Sequence, residues 1–312
     1  MTTVADQGRR AYLNTGSFVW VVDTATGKVI TTIERGGFPD EVVLTPDGTQ
    51  ALVVGIGAVL AVDTATNAVT TVRIPMAPVA IAVAPDGSEA AVTDLYDNAV
   101  QLIDTATDRI TGSIVLPTSN PSAAPELGSL TFSPDGHSLY VADDGNIAVV
   151  ETADGRVTHT ITVAPGGGLI GQLAVSPDGS RLYAGDGTRV LVVDTATEQV
   201  TATVGLTGIG DDGSGSVAVS PDGSTLYATG FSGFVGSLSA VDTATDTVTT
   251  TLDLPADNEF DTAVGVALTP DGSQAYLTNG APGTVSVINT ATDTLSGTID
   301  VGRDPSGVVI GP

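Results

Sequence analysis

Short runs of aliphatic and β-branched residues alternate with polar turn phrases along the whole chain. One stretch shows the pattern. "VAIAVA" (79–84) is apolar, "PDGS" interrupts it, "EAAVTD" resumes it, and "AVQLID" (99–104) follows after a short connection. "TATD" then leads into "RITGSIV" (109–115), whose Thr and Ser positions mark a wetter face. Runs of this length, rich in Val, Ile and Thr, predict strands. In "SPDG" the Pro presets φ for a tight turn and the Gly takes the left-handed position after it. In "DTATG" the Asp caps the turn, and Gly, Asn or Asp at the fifth place tolerates positive φ.

Both turn phrases recur. "DTAT" and its variants begin at Asp23, Asp63, Asp104, Glu151, Asp194, Asp242 and Asn289, at intervals of 40 to 48 residues. "PDG" begins at Pro46, Pro85, Pro134, Pro177, Pro221 and Pro270. A period in the forties with four short strands per unit predicts β-propeller blades. Seven copies of one phrase and six of the other imply a split blade. "ADQGRRAYLNTG" near the start lines up with "SPDGSRLYAGDG", placing Ala5 to Gly8 where "SPDG" belongs. "GRDPSGVVIGP" at the end reads as an innermost strand over 307–310 with no blade after it, while residues 1–4 compete for the same slot.

The expected fold is all-β: a single seven-bladed β-propeller of four-stranded antiparallel blades, its ring closed by the C-terminal strand joining the N-terminal blade. The blades are expected at 8–33 plus 305–311, 38–74, 77–116, 128–163, 171–205, 214–254 and 263–301, all in one domain spanning 1–312.

"SLYVADD" (138–144), "QAYLTNG" (274–280) and "VSVINTATD" (285–293) carry a family resemblance. The units resemble the YVTN-type β-propeller repeat over essentially the whole chain. The resemblance implies the seven-bladed fold. It implies little about chemistry, because the residues that family shares are turn and core positions. Its members include surface and envelope proteins, and similar propellers include lactonases and lyases. No catalytic residue of those enzymes maps onto a motif here.

Composition changes this picture in three places. There is no cysteine, which removes disulfides, thiolate metal sites and Cys nucleophiles. The net charge is −26, yet sixteen of the 29 Asp sit in the two turn phrases, so most of that charge follows from turn chemistry. With one Lys and nine Arg, nucleic acid and anionic membranes are poor partners. No run approaches eighteen apolar residues, so no membrane span is expected. "MTTVADQGRRAYLNTG" has no apolar h-region, which points to the cytoplasm for the chain as given; a secreted or cell-envelope location follows if a signal peptide was removed.

In a four-stranded meander, the "PDG" and "DTAT" turns fall at one end of the strands. Variation in length falls at the other. Blade-to-blade connections range from "PMA" (75–77) to "PTSNPSAAPELG" (117–128), and the second-to-third loop "TGFSGFVG" (229–236) is also stretched. Repeat proteins confine insertions to one face, often the binding face. A site is therefore expected at the loop-rich face and the mouth of the central channel, for a small molecule or a protein partner.

The candidate ligand contacts on that face are Arg35, Phe38, Glu41, Tyr96, Glu126, Arg189, Phe231, Phe234, Phe260 and Arg303. The Phe residues either contact a ligand or pack the long loops down as a satellite cluster. Arg35 and Arg303 either clamp a carboxylate or pair with local acids. Acidic residues on the same face, Asp143, Asp144, Asp211, Asp212, Asp257, Glu259 and Asp261, with Asp186, have the oxygen chemistry for a divalent cation such as Ca²⁺ or Mg²⁺; the alternative is a solvated acidic rim. No cofactor motif is evident, since "APGGGLIG" (164–171) precedes no helix.

His137 belongs to the constant end and His159 to an outermost strand, so a His-based triad or zinc site on the variable face is not expected. Two function classes follow. One is a binding propeller. The other is a lyase, cyclase or lactonase working with carboxylate, Arg or metal assistance; a purely architectural role at a cell surface is a third reading.

Overall fold

The computed structural model describes residues 10–15, 18–34, 41–74, 77–94, 98–117, 127–164, 170–186, 188–206, 215–232, 235–254, 263–280, 283–302 and 305–311. Seven antiparallel sheets of four strands each make up a β-propeller, with no helix among the described residues. Accordingly, no described helix is long and apolar enough to cross a membrane. Blade 1 is composite: its strands, from the channel outward, are Pro305–Ile310, Arg10–Thr15, Phe18–Asp23 and Lys28–Glu34. Ala11 faces Ile310 and Leu13 faces Val308 in that closing pair, so the C-terminal strand takes the innermost slot. The innermost strands of blades 2 to 7 are Val42–Leu44, Pro78–Val83, Leu127–Phe132, Leu173–Val175, Val217–Val219 and Ala263–Leu268.

One expectation is corrected. The stretch 229–236, read as a long loop, is mostly strand: Thr225–Ser232 and Val235–Asp242 pair out to Ser232 opposite Val235. Aromatic and β-branched residues favour strand over coil even at a blade tip.

The core has no single centre. Seven buried clusters each bridge two neighbouring blades, one at every junction, including blade 7 to blade 1. Strands buried on both faces explain the near-continuous apolar runs. Tyrosines extend across these junctions. Tyr227 donates to Asp293 in the next blade at 3.1 Å, and burial first, then that carboxylate, push its hydroxyl pKa up.

The recurring phrases bond to each other. At six blades the Thr in the second place of "DTAT" donates its hydroxyl to the carbonyl of the "PDG" glycine, at 2.5 to 2.7 Å. The "DTAT" Asp accepts the N–H three residues on, as Asp63 does from Thr66 at 2.7 Å. All seven fifth-place residues have positive φ, from Asp293 at 49° to Gly155 at 70°, with Glu198 at 57°. The "PDG" turns also stack around the ring. A Cβ on Gly87, Gly136, Gly179, Gly223 or Gly272 would lie 3.1 to 3.6 Å from the proline ring of the preceding blade's turn.

Within each "PDG" turn the Asp carboxylate collects donors. Asp178 accepts from the Ser176 hydroxyl at 2.6 Å, the Ser180 N–H at 3.0 Å and the Ser180 hydroxyl at 2.8 Å. The Ser176 hydroxyl, then the Ser180 donors, lower its pKa to about 2; Asp222 is lowered to about 2 by Ser220 and Ser224 in the same way.

Gly272 combines φ of 68° with the tightest proline contact, so Gly272→Ala should destabilise by about 2 kcal/mol in urea unfolding. Gly297, with nothing within 4 Å of an added Cβ, should gain about 0.5 kcal/mol as Ala. The Asp178 carboxyl titrates lower in the folded state than its ordinary 3.8, so its stabilisation is complete above that value and is lost as pH falls towards 2. The stability gap between the parent and Asp178→Asn, measured by denaturation from pH 7 to pH 2, should therefore be flat above about pH 4.5 and close below it.

Candidate functional site

The innermost strands turn one edge to their own blade and the other to the central channel. Ladder bonds alternate along each strand. In blade 2, Val54 N–H donates to the Glu41 carbonyl and Thr45 N–H to the Gln50 carbonyl, each at 2.9 Å. Val42 lies out of that phase, opposite Val53, so its N–H faces the channel. The same phase holds in blade 4, where Ser133 N–H bonds the Ser138 carbonyl and Leu130 faces Val141. It holds in blade 1, where Gly311 N–H bonds the Arg10 carbonyl and Val308 faces Leu13.

A side-chain belt caps these channel-facing N–H groups. Five residues before each "PDG" proline stand Glu41, Ala80, Ser129, Gln172, Ser216 and Gly265, and Gly307 holds that register in blade 1. Four of them reach the next blade. Ile81 N–H donates to Glu41 Oε2 at 2.8 Å and Leu173 N–H to Ser129 Oγ at 3.1 Å. Val217 N–H donates to Gln172 Oε1 at 3.0 Å and Val266 N–H to Ser216 Oγ at 3.2 Å. The Ser216 hydroxyl donates in turn to Gln172 Oε1, so blades 5, 6 and 7 are linked in one relay.

The belt and the strand beginnings around it line a cavity of about 550 Å³ at the end of the channel where the blade-to-blade connections arrive. Its wall is largely Val, Leu, Ile and Gly, with Glu41 as the sole ionisable side chain among the described lining residues. No aromatic residue contributes to that described wall. Clefts of about 530, 440 and 320 Å³ open on the opposite end, between the "PDG" turns of blades 3 and 4, 6 and 7, and 5 and 6. Those repeat one junction motif. The channel cavity instead gathers seven different blade beginnings.

Of the residues singled out from sequence, the structure brings Glu41 into this cavity. Arg189 does not line it: Arg189 Nε lies 2.6 Å from Asp186 Oδ2, closing the turn before its strand. Burial raises the Asp186 pKa, but the bonds from Arg189 and Thr188 outweigh it and hold the carboxyl below its usual range. Asp144 and Gly145 form the two-residue turn between Asp143 and Asn146, with φ of 40° and 72°, the geometry of a primed hairpin turn. Asp143 is buried at the head of that hairpin. Phe231 pairs with Gly236 through its backbone. Arg35, Phe38, Tyr96, Glu126, Phe234, Phe260, Arg303, Asp211, Asp212, Asp257, Glu259 and Asp261 lie outside the described residues.

Among the described residues, no three acidic or histidine side chains come together as a metal site would require. His137 sits at a constant-end turn, and His159 Nδ1 lies 3.2 Å from Glu198 Oε1 on the outer rim, so neither reaches the cavity. Ser129, Gln172 and Ser216 went unremarked in the sequence. Counting back five residues from each "PDG" would have aligned them with Glu41.

No protein-family model matches the chain, and no curated protein matches it. Solved structures do. A putative 6-phosphogluconolactonase from Bacteroides fragilis superposes with a TM-score of 0.76 at 17% identity, over 100% of both chains. Hydrazine synthase from Kuenenia stuttgartiensis gives 0.72 at 21% identity, over 86% of this chain and 88% of that one. The dihydro-heme d1 dehydrogenase NirN, in complex with DHE, gives 0.65 at 16%, over 96% and 74%. At these identities the likeness is one of fold.

The relay makes a direct prediction. Gln172→Ala strips the cap from Val217 N–H and the acceptor from the Ser216 hydroxyl, and should cost about 1–3 kcal/mol in equilibrium unfolding.

Proposed function

We propose that this chain is a small-molecule-binding β-propeller whose ligand sits in the channel mouth at the loop-rich face. The observation that carries the reading is the cavity of about 550 Å³, apolar in its wall and ringed by a few convergent polar groups. Ligand sites of drug-sized molecules have that size and make-up. A flat aromatic patch would favour a protein partner, but the described wall contains no aromatic residue.

The second reading is an enzyme at the same mouth, and Glu41 favours it. A carboxylate in a wall that is otherwise largely apolar is one arrangement from which acid–base chemistry is built. Its bond from Ile81 N–H also gives Glu41 a structural task, which weighs towards binding. The three structural neighbours are enzymes by name, but a propeller hosts many unrelated functions, so fold analogy adds little.

The test is native mass spectrometry of the protein after exposure to a small-molecule metabolite extract, with Val79→Trp as the blocked channel. A retained mass that leaves on denaturation, and is lost at least tenfold in Val79→Trp, supports the channel site. Retention unchanged by Val79→Trp would refute it. If the identified molecule is converted by the parent and merely held by Glu41→Gln, the enzyme reading takes precedence.

A further inference from the structure

The pseudo-sevenfold repeat makes the channel its own control. Four junctions carry a side chain that caps the next blade's channel-facing N–H. At the other three the capping position holds Ala80, Gly265 or Gly307, and among the described residues the N–H groups of Leu130, Val308 and Val42 meet no such cap. Two of those three junctions are consecutive. Blade 7 to blade 1 and blade 1 to blade 2 together form one uncapped sector, and both Val42 and Val308 line the cavity there. Leu130, across the ring, does not line it.

One polar side chain behind this sector is also unmet among the described residues, whereas Thr278 of blade 7 donates to the Ser306 carbonyl at 3.1 Å. Thr93, Thr229 and Thr278 occupy one position on the second strand of their blades and accept the N–H of Ala80, Ser216 and Gly265 at 2.8 to 3.1 Å. Blade 1 places Asn14 there, fully buried, and among the described residues neither its amide oxygen nor its nitrogen has a partner. Buried donors and acceptors without partners are rare and costly; Asn14 stands one strand behind the bare position of Gly307 and is not itself part of the cavity wall. Gly265 has a packing reason, since its Cβ would come 2.7 Å from the Ser306 carbonyl oxygen. Gly307 does not have positive φ, so the bare position is not forced by a left-handed backbone.

We propose that the sector from blade 7 to blade 2 receives the uncharged carbonyl end of a small ligand, its oxygen accepting from the channel-facing N–H groups of Val308 and Val42, while its apolar remainder lies on Val43, Val79, Leu127 and Ile170. This deepens the channel-binding reading and rests on it. N–H donors select an acceptor and repel a cation. The net charge of −26 acts against an anion. What remains is a neutral sp² oxygen, such as that of a carboxamide or ketone.

The test uses the full chain, ¹⁵N-labelled and deuterated, titrated with hexanamide, hexanoate and hexylamine while the backbone amides are followed by NMR. Hexanamide is expected to shift Val42 and Val308 saturably downfield, with Leu130 moving less than half as far. Hexanoate and hexylamine are expected to bind at least fivefold more weakly. Gly307→Ser recreates the cap that Ser129 and Ser216 supply elsewhere, and should weaken hexanamide at least fivefold.

Equal shifts at Leu130, hexanoate binding as tightly as hexanamide, no saturable shift at Val42 and Val308, or an indifferent Gly307→Ser would each overturn the proposal. If Gly307→Ser does not fold, the comparison of Val42 and Val308 with Leu130 in the parent decides. Val79→Trp separates the two levels. Binding that survives it removes the channel reading itself, whereas binding lost in Val79→Trp and untouched in Gly307→Ser removes this assignment alone.

Discussion

The hydroxyl of one threonine per blade, donated to a glycine carbonyl on a different turn, is the contact from which the rest of this propeller is organised. It ties the turn between strands three and four to the turn between strands one and two, at 2.5 to 2.7 Å in six blades. That glycine is in the left-handed region and lies flat against the preceding blade's proline. One hydrogen bond within a blade and one ring contact between blades therefore share a residue. Twist within a sheet and rotation between sheets are set at the same point. A side chain there would disturb both, which is why the phrase recurs unchanged while the opposite end drifts.

This division of labour has a consequence for function. An end held by turn-to-turn bonds around the ring tolerates little change, and the clefts it offers are copies of one another. At the other end the belt of Glu41, Ser129, Gln172 and Ser216 spans four blade junctions of the channel wall, and Thr93 and Thr278 reach the Gly128 and Ser306 carbonyls across two more. Each member is a side chain rather than a backbone constraint, so each can be exchanged or dropped without altering the strand behind it. The channel mouth is where a repeat protein can become asymmetric at low structural cost, and asymmetry is what recognition requires.

The fold was legible because its determinants are local. Pro, Asp and Gly in "PDG", and Asp, Thr and a positive-φ residue in "DTATG", act within a few residues of themselves, and the split blade followed from counting them. Even Glu198, an unusual fifth-place residue, takes φ of 57° because the turn around it leaves no alternative. The site was less legible because its determinants are not local. Gln172 caps Val217, and Ser216 caps Val266, across connections of very different length. Glu41 stood out as a charge, but Ser129 and Ser216 look like any serine until they are aligned by distance from the next "PDG". Arg189 looked available in sequence and is held by Asp186 three residues earlier, a pairing that depends on how the turn closes.

The belt also bears on what kind of chemistry the mouth can hold. Its caps are mostly neutral, and a neutral oxygen accepting one backbone N–H contributes about 1 kcal/mol, enough to hold register without fixing a charge in the channel. Glu41 is the exception. Its carboxylate accepts from Ile81 N–H and places an ionisable acceptor in a described wall that is otherwise aliphatic. Beside it Gly307 and Gly265 leave the N–H groups of Val42 and Val308 without a side-chain cap among the described residues. Polar groups are thus gathered at blades 1 and 2, while the wall across the mouth is formed by Leu127 and Ile170. A molecule with one polar end would meet that mouth in one orientation, because turning it end for end would set its polar group against the aliphatic wall and an apolar group against the N–H of Val42.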